Sequence, residues 1–147
     1  MVLQRNEINE KDTWDLSTIY ETDQAWEKEL ELLSQATKEA ASSEGHLLDS
    51  ATSLLEITEL YLDLNRRLEK LYVYAHMKND QDTREAKYQE YYAKAMTLYS
   101  QLDQVFSFYE PEFMEITEDQ YHAFLEAEPK LQVYKHFFDK LLQNKNH

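Results

Sequence analysis

The sequence predicts an all-α fold in which a long antiparallel helical hairpin packs with an N-terminal helix and two shorter C-terminal helices. The chain has one glycine and two prolines in 147 residues, so it lacks the turn residues that β-hairpins require. Apolar residues also recur at alternating spacings of three and four along two stretches, which is typical of helices that pack lengthwise. These residues are Leu54, Ile57, Tyr61, Leu64, Leu68, Leu71 and Ala75, then Tyr88, Tyr92, Ala95, Tyr99, Leu102, Phe106 and Tyr109.

The N-terminal part predicts one helix preceded by a short apolar segment. Residues 14–20 (WDLSTIY) are apolar without a helical period, and we interpret them as an extended segment or single turn packed on the helices. A helix then begins at a cap supplied by Thr22 or Asp23. Gly45 lies in the loop after this helix, where a left-handed backbone costs least. The apolar stripe of the helix contains Trp26, Leu30, Leu33, Thr37 and Ala40.

Two long helices and the break between them predict the hairpin. The second helix begins near residues 49–50 and runs to about Asn79. The polar residues 79–83 leave room only for a reversal of the chain. Residues 82–85 (DTRE) fit a capping box that starts the third helix, with Glu85 three positions after the cap.

Prolines and a second capping signal predict the C-terminal helices. The third helix must end before Pro111, because proline interrupts the hydrogen bonds of a helix interior. Thr117 repeats the start signal for a short fourth helix. Pro129 is placed as the first-turn proline of a fifth helix. That helix continues through Leu131, Tyr134, Phe138, Leu141 and Leu142.

Composition limits the classes of function. A chain of this length suits a single helical domain covering residues 1–147. Its net charge of −14 repels phosphate backbones and anionic lipid head groups, so we expect no nucleic-acid or membrane partner. The electric field of this acidic surface instead favours basic partners. The alternative is that the acidic surface only keeps the protein in solution. Without an apolar leader or a membrane-length segment, the expected compartment is the cytoplasm.

No catalytic, cofactor-binding or metal-binding residues are predicted within the chain. The sequence contains no His-Glu-x-x-His motif, no cysteine and no glycine-flanked serine, so the helical zinc site and the usual nucleophiles are missing. His122 and Glu126 stand one helical turn apart and form the only plausible nucleus of a metal site. The alternative is an exposed pair on an acidic helix.

Three residues are predicted to form an interface. Eleven tyrosines are present, and a tyrosine ring can bury its body while its hydroxyl stays hydrated. Tyr74 and Tyr91 lie off the hairpin seam, which favours a partner over core packing. Arg66 begins a small basic patch next to them, although pairing with acids of a neighbouring helix also explains that patch.

Four segments carry a more specific signal when they are taken in order. They are WDLSTIY at 14–20, followed by Asp23 and Trp26; RRLEKLYVYA at 66–75, leading to Asp82 and Thr83; Tyr88-Gln89; and SFYEPE at 107–112. In order and spacing they resemble the N-terminal region of oligoendopeptidase F type zinc metallopeptidases. The resemblance covers essentially the whole chain.

The resemblance implies a helical lobe that walls off the substrate cleft of a cytoplasmic peptidase acting on short peptides. In that family zinc is held by two histidines and a downstream glutamate, with a glutamate base, and none of these maps to a position in this chain. We therefore expect the chain alone to be inactive. Its expected partner is a catalytic domain. Where the apolar face that this domain would cover is exposed, the expected partners are further copies of the chain in a homo-oligomer. The alternative is a free-standing acidic helical interaction protein derived from such a lobe.

Overall fold

The computed structural model describes residues 19–81 and 84–145. These residues contain helices and no strand, which confirms the predicted all-α class. Residues 14–18 of the predicted apolar segment and residues 82–83 of the predicted capping box lie outside the described residues. The α-helices are α1 (Asp23–Ala40), α2 (Ala51–Gln81), α3 (Ala86–Val105), α4 (Tyr109–Phe113), α5 (Glu118–Ala127) and α6 (Lys135–Lys145). Short 3-10 helices cover Ala41–Ser43, Phe106–Phe108 and Pro129–Tyr134.

Helix α1 begins at one of the two caps that its sequence predicts, and it is followed by a short 3-10 helix and the predicted glycine loop. Thr22 is the N-cap, and its Oγ1 accepts a hydrogen bond from the amide of Ala25 at 3.0 Å. Four of the five predicted stripe residues are buried, and Leu30 is half-buried. After the helix, Gly45 takes a φ of 86°, the left-handed conformation that favours glycine.

Helices α2 and α3 contact each other in antiparallel order. The ring of Tyr61, in the first half of α2, lies 4.7 Å from that of Phe106 just after the end of α3. The ring of Tyr72, in the second half of α2, lies 5.6 Å from that of Tyr92 in the first half of α3. Of the two predicted stripes, the buried residues are Leu54, Ile57, Leu64, Leu68, Leu71, Ala75, Ala95, Leu102, Phe106 and Tyr109, and the half-buried ones are Tyr61, Tyr88, Tyr92 and Tyr99.

The predicted start of α3 is wrong in one respect. Glu85 has extended backbone and precedes the first helical residue, so it is the N-cap itself and not the residue three positions after the cap. Its side chain makes no capping hydrogen bond. At the other end, α3 stops at Val105, before Pro111 as predicted. Pro111 is the third residue of α4, where a backbone N–H has no partner within the helix in any case.

The C-terminal helices close the core. Thr117 caps α5 and accepts a hydrogen bond from the amide of Gln120 at 3.1 Å. The predicted fifth helix is in two parts, because Pro129 opens a 3-10 segment that leads into α6. From α6, the fully buried ring of Phe138 stacks on that of Phe113 with centroids 5.2 Å apart.

One carboxylate joins the loop after α1 to the short helix α4. Glu112 accepts hydrogen bonds from the amides of Gly45 at 2.6 Å and Leu47 at 3.2 Å. These bonds satisfy loop N–H groups that have no helix of their own. None of the helices described combines the length and the apolar character needed to cross a bilayer.

Candidate functional site

Two of the three predicted interface residues lie inside the fold. Tyr74 is 2% exposed and Tyr91 is 3% exposed. The ring of Tyr91 stacks on the indole of Trp26, with centroids 4.0 Å apart and planes at 6°. The ring of Tyr74 meets Tyr20 edge-on at 5.3 Å. The interpretation of these two rings as facing a partner is therefore corrected: they form an interface with α1 and the residues just before it in the same chain.

Asp23 fixes the start of α1 to both long helices. Its carboxylate accepts hydrogen bonds from the hydroxyl of Tyr74 at 2.6 Å and the hydroxyl of Tyr88 at 3.0 Å, and from Lys87 Nζ at 2.8 Å. Burial on its own would raise the pKa of Asp23, but the bonds from Lys87 and the two tyrosines outweigh it and lower that pKa. The charged carboxylate also lies in the first turn of α1, where it complements the helix dipole.

Trp26, one turn further along α1, makes a second contact with the long helices. Its side chain is fully buried, and its indole N–H donates a hydrogen bond to the carbonyl of Leu71 at 2.9 Å. The hydroxyl of Tyr91 donates to Glu27 on the same helix. Burial and the hydrogen bond to Glu27 raise the pKa of Tyr91, so this hydroxyl keeps its proton. The tyrosine and tryptophan side chains around Asp23 are thus packed inside the fold, and their polar atoms have hydrogen-bond partners.

The third predicted interface residue, Arg66, is on the surface. Its side chain is 70% exposed and pairs with Asp63 at 2.6 Å on the same helix. The neighbouring Arg67 is half-buried and binds Glu29 of α1 through Nε at 3.0 Å and Nη2 at 2.9 Å. Pairing with acids of a neighbouring helix therefore accounts for Arg67, whereas the interface role of Arg66 stays a prediction.

The candidate metal pair is not assembled. His122 is 63% exposed, and its Nε2 lies 3.8 Å from Glu118, on the preceding turn, instead of pairing with Glu126. Across residues 19–81 and 84–145, no three histidine, cysteine, aspartate or glutamate side chains are grouped so that they could hold a metal ion.

A cleft that the sequence did not predict lies between α2, the end of α3, α4 and α6. It has a volume of about 660 Å³. Four aromatic rings and two carboxylates border it: Tyr61, Phe106, Tyr109, Phe137, Asp103 and Glu110. The SFYEPE segment at 107–112 supplies several of its lining residues, so that segment was the available signal.

Comparisons with known proteins agree with the resemblance noted in the sequence. Residues 112–147 match the family profile described as oligopeptidase F. The group B oligopeptidase PepB of Streptococcus agalactiae is 57% identical over 97% of this chain. The oligoendopeptidase F homolog of Lactococcus lactis is 53% identical over 100% of it. The chain spans 24% and 25% of the lengths of these two relatives.

Two solved structures share the fold. The crystal structure of oligoendopeptidase-F from Enterococcus faecium has a TM-score of 0.77 and 37% sequence identity, over 85% of this chain and 24% of that chain. The crystal structure of a putative peptidase from Chlamydophila abortus has a TM-score of 0.77 and 26% identity, over 97% of this chain and 24% of that chain. Sequence and fold together show that the chain belongs to the oligoendopeptidase F family and corresponds to an N-terminal region of its members.

Proposed function

We propose that the chain is the helical lobe of an oligoendopeptidase F type zinc peptidase that hydrolyses short peptides. In this proposal the lobe packs on a catalytic part and limits the substrate cleft to short, unfolded peptides. The observation that carries the proposal is coverage: the alignments extend over 97% and 100% of this chain but only 24% and 25% of the two relatives. Zinc and the catalytic residues are assigned to the remainder of such an enzyme, and the chain alone is inactive.

The way α1 is held supports a role as a rigid wall. Three separate contacts fix it to the long helices: Asp23 with the tyrosine hydroxyls, the Trp26 indole with the Leu71 carbonyl, and the Glu29 carboxylate with Arg67. A wall that sorts substrates by size has to keep its helices in fixed relative positions, and these contacts resist sliding of α1 along α2. The compartment proposed with this role, from the same resemblance, is the cytoplasm.

A chimera with a relative tests the proposal. The region of Streptococcus agalactiae PepB that matches this chain is replaced by this chain, and PepB itself and PepB lacking the region serve as controls. The hydrolysis rates of a short quenched fluorescent peptide and of an unfolded protein are compared. We expect both PepB and the chimera to cleave the short peptide and spare the unfolded protein, whereas the deletion variant loses activity or loses this size selection.

Two results would contradict the proposal. The first is a folded chimera, with helix content matching PepB, that cleaves neither substrate. The second is a deletion variant that matches PepB on both substrates, because the lobe would then contribute nothing. Self-association of this chain without any effect in the chimera would favour an interaction protein instead, and sedimentation of the free chain detects it.

A further inference from the structure

The aromatic rings of the cleft form a continuous group. The ring of Tyr61 lies 4.7 Å from that of Phe106 and 5.3 Å from that of Tyr109, and the ring of Phe137 lies 6.0 Å from that of Tyr109. Phe106 and Tyr109 are buried, whereas Tyr61 and Phe137 are half-buried and border the cleft. The faces of such rings carry partial negative charge and attract cations.

Two carboxylates at the rim add formal negative charge. Asp103 and Glu110 line the cleft and are exposed, and neither forms a salt bridge with any other residue that the structure describes. No lysine or arginine is among the described residues that line it. Burial, with the charges of Asp103 and Glu110, raises the pKa of Tyr61. Both carboxylates therefore act on Tyr61 across the cleft, and no ion pair with a described residue neutralises their charges.

In a second cavity, by contrast, the carboxylate at the border is paired with a lysine. This cavity measures about 460 Å³ and is bordered by Tyr121, Lys135 and Asp139. Here Asp139 is bound by Lys135 at 2.8 Å and by the Tyr121 hydroxyl at 2.9 Å, so its charge is already satisfied. The cleft at Tyr61 differs because its two carboxylates have no such partners among the described residues.

We propose that the cleft at Tyr61 binds the cationic side chain of a peptide, with arginine preferred over lysine. A guanidinium is planar, stacks on aromatic faces and pairs with carboxylates, so it fits both the rings and the rim. Its apolar stem can lie along the rings. A volume of about 660 Å³ is ample for one side chain, and the exposed rim lets the peptide backbone stay in solvent. This binding belongs to the chain itself and does not depend on the proposed lobe function.

Calorimetric titration of the full chain tests this site. The ligands are the blocked tripeptide Gly-Arg-Gly and the same peptide with citrulline, which keeps the shape of arginine but is neutral. We expect the arginine peptide to bind at least about tenfold more tightly, and this preference to shrink as salt is added. The double variant Asp103→Asn with Glu110→Gln should weaken arginine binding at least about fivefold.

Matched variants separate the cleft from the overall charge of the chain. The double variant Glu31→Gln with Glu126→Gln makes the same change in net charge at exposed positions outside the cleft, and should change the affinity less than about twofold. Tyr61→Phe should keep the arginine preference and Tyr61→Leu should lose it, because only the former retains an aromatic face. Circular dichroism checks that each variant is folded. If Tyr61→Leu does not fold, the variants at the exposed carboxylates test the proposed site without it.

Three outcomes would overturn the proposal. Equal affinity for the arginine and citrulline peptides would mean that the cleft does not select for charge. Equal weakening by the two double variants would assign the effect to the overall field of the protein. Dimerisation that is abolished by Asp103→Asn with Glu110→Gln, without any preference between the peptides, would assign the cleft to a second copy of the chain.

Discussion

Replacing Tyr91 with alanine tests how α1 is attached to the long helices. The ring is 3% exposed and stacks on Trp26, and its hydroxyl binds Glu27. A buried aromatic side chain removes about 150–250 Å² from water, which at ~25 cal/mol per Å² gives an upper bound of roughly 4–6 kcal/mol. Truncation of buried phenylalanine and tryptophan to alanine costs about 3–5 kcal/mol. We therefore expect Tyr91→Ala to lower the free energy of unfolding by about 3–5 kcal/mol.

Urea unfolding followed by far-UV circular dichroism measures this loss. With a slope of about 2 kcal/mol per molar urea, the midpoint should fall by roughly 2 M. Tyr91→Phe keeps the stack and removes only the hydrogen bond to Glu27, so it should cost about 0.5–1.5 kcal/mol. Met96→Ala, at a side chain 42% exposed on the same helix, is the matched control and should change stability by less than about 0.5 kcal/mol. A loss below about 1 kcal/mol for Tyr91→Ala, with helix content intact, would refute the packing of α1 on Tyr91.

Three further predictions concern the core and the first turn of α1. Leu71 is fully buried, so Leu71→Ala should cost about 2–5 kcal/mol in urea unfolding, and a loss under about 1 kcal/mol would contradict its place in the seam. The Thr58 hydroxyl is buried and lies 2.5 Å from the Tyr109 hydroxyl, so Tyr109→Phe should lower the free energy of unfolding by about 1–3 kcal/mol. In a double-mutant cycle with Thr58→Val, strictly additive losses would show that the two hydroxyls do not interact. The folded-state pKa of Asp23 is lowered, so its charge stabilises the fold above the unfolded pKa of about 3.9, and that stabilisation is lost as the pH falls through the folded pKa. The difference in unfolding free energy between wild type and Asp23→Asn should hold steady above about pH 5 and shrink below about pH 4; a difference that persists at lower pH would contradict this role.

Signals that act over a few residues were predictable from the sequence. The cap at Thr117 and the left-handed Gly45 depend on neighbours within one turn of the chain, so the residue types indicate them. For α1 the same reasoning left Thr22 and Asp23 as candidates, and the structure shows that Thr22 is the cap. The spacing of apolar residues likewise fixed the helical class, because a helix has to bury its apolar face whatever packs against it. The boundary at Glu85 was missed, because DTRE can place its cap at either end of the motif.

The location of the off-seam tyrosines could not be predicted in this way. Periodicity assigned one apolar stripe to each long helix, but α2 and α3 each bury a second face under α1. A tyrosine fits either a buried face or a surface that binds a partner, since its hydroxyl needs only one polar atom nearby. For Tyr74 and Tyr91 that atom comes from Asp23 and Glu27, more than 50 residues earlier in the chain.

The cleft depends on contacts of the same long range. Tyr61 from α2 and Phe137 from α6 meet there although they lie far apart in the sequence, and spacing along one helix contains no information about that meeting. Glu112 likewise binds loop amides at Gly45 and Leu47, 67 and 65 residues away. Abundant acids made any single carboxylate unremarkable in the sequence, so only the fold distinguishes Asp103 and Glu110.

The central claim is that this helical chain contains no catalytic group of its own. A peptide-hydrolysis assay on the purified chain tests this claim most directly. We expect no cleavage of a quenched fluorescent peptide above the buffer rate, either with added zinc or with a chelator, while Streptococcus agalactiae PepB cleaves the same peptide in parallel. Cleavage that a chelator abolishes and that stays with the chain through successive chromatography steps would contradict this claim.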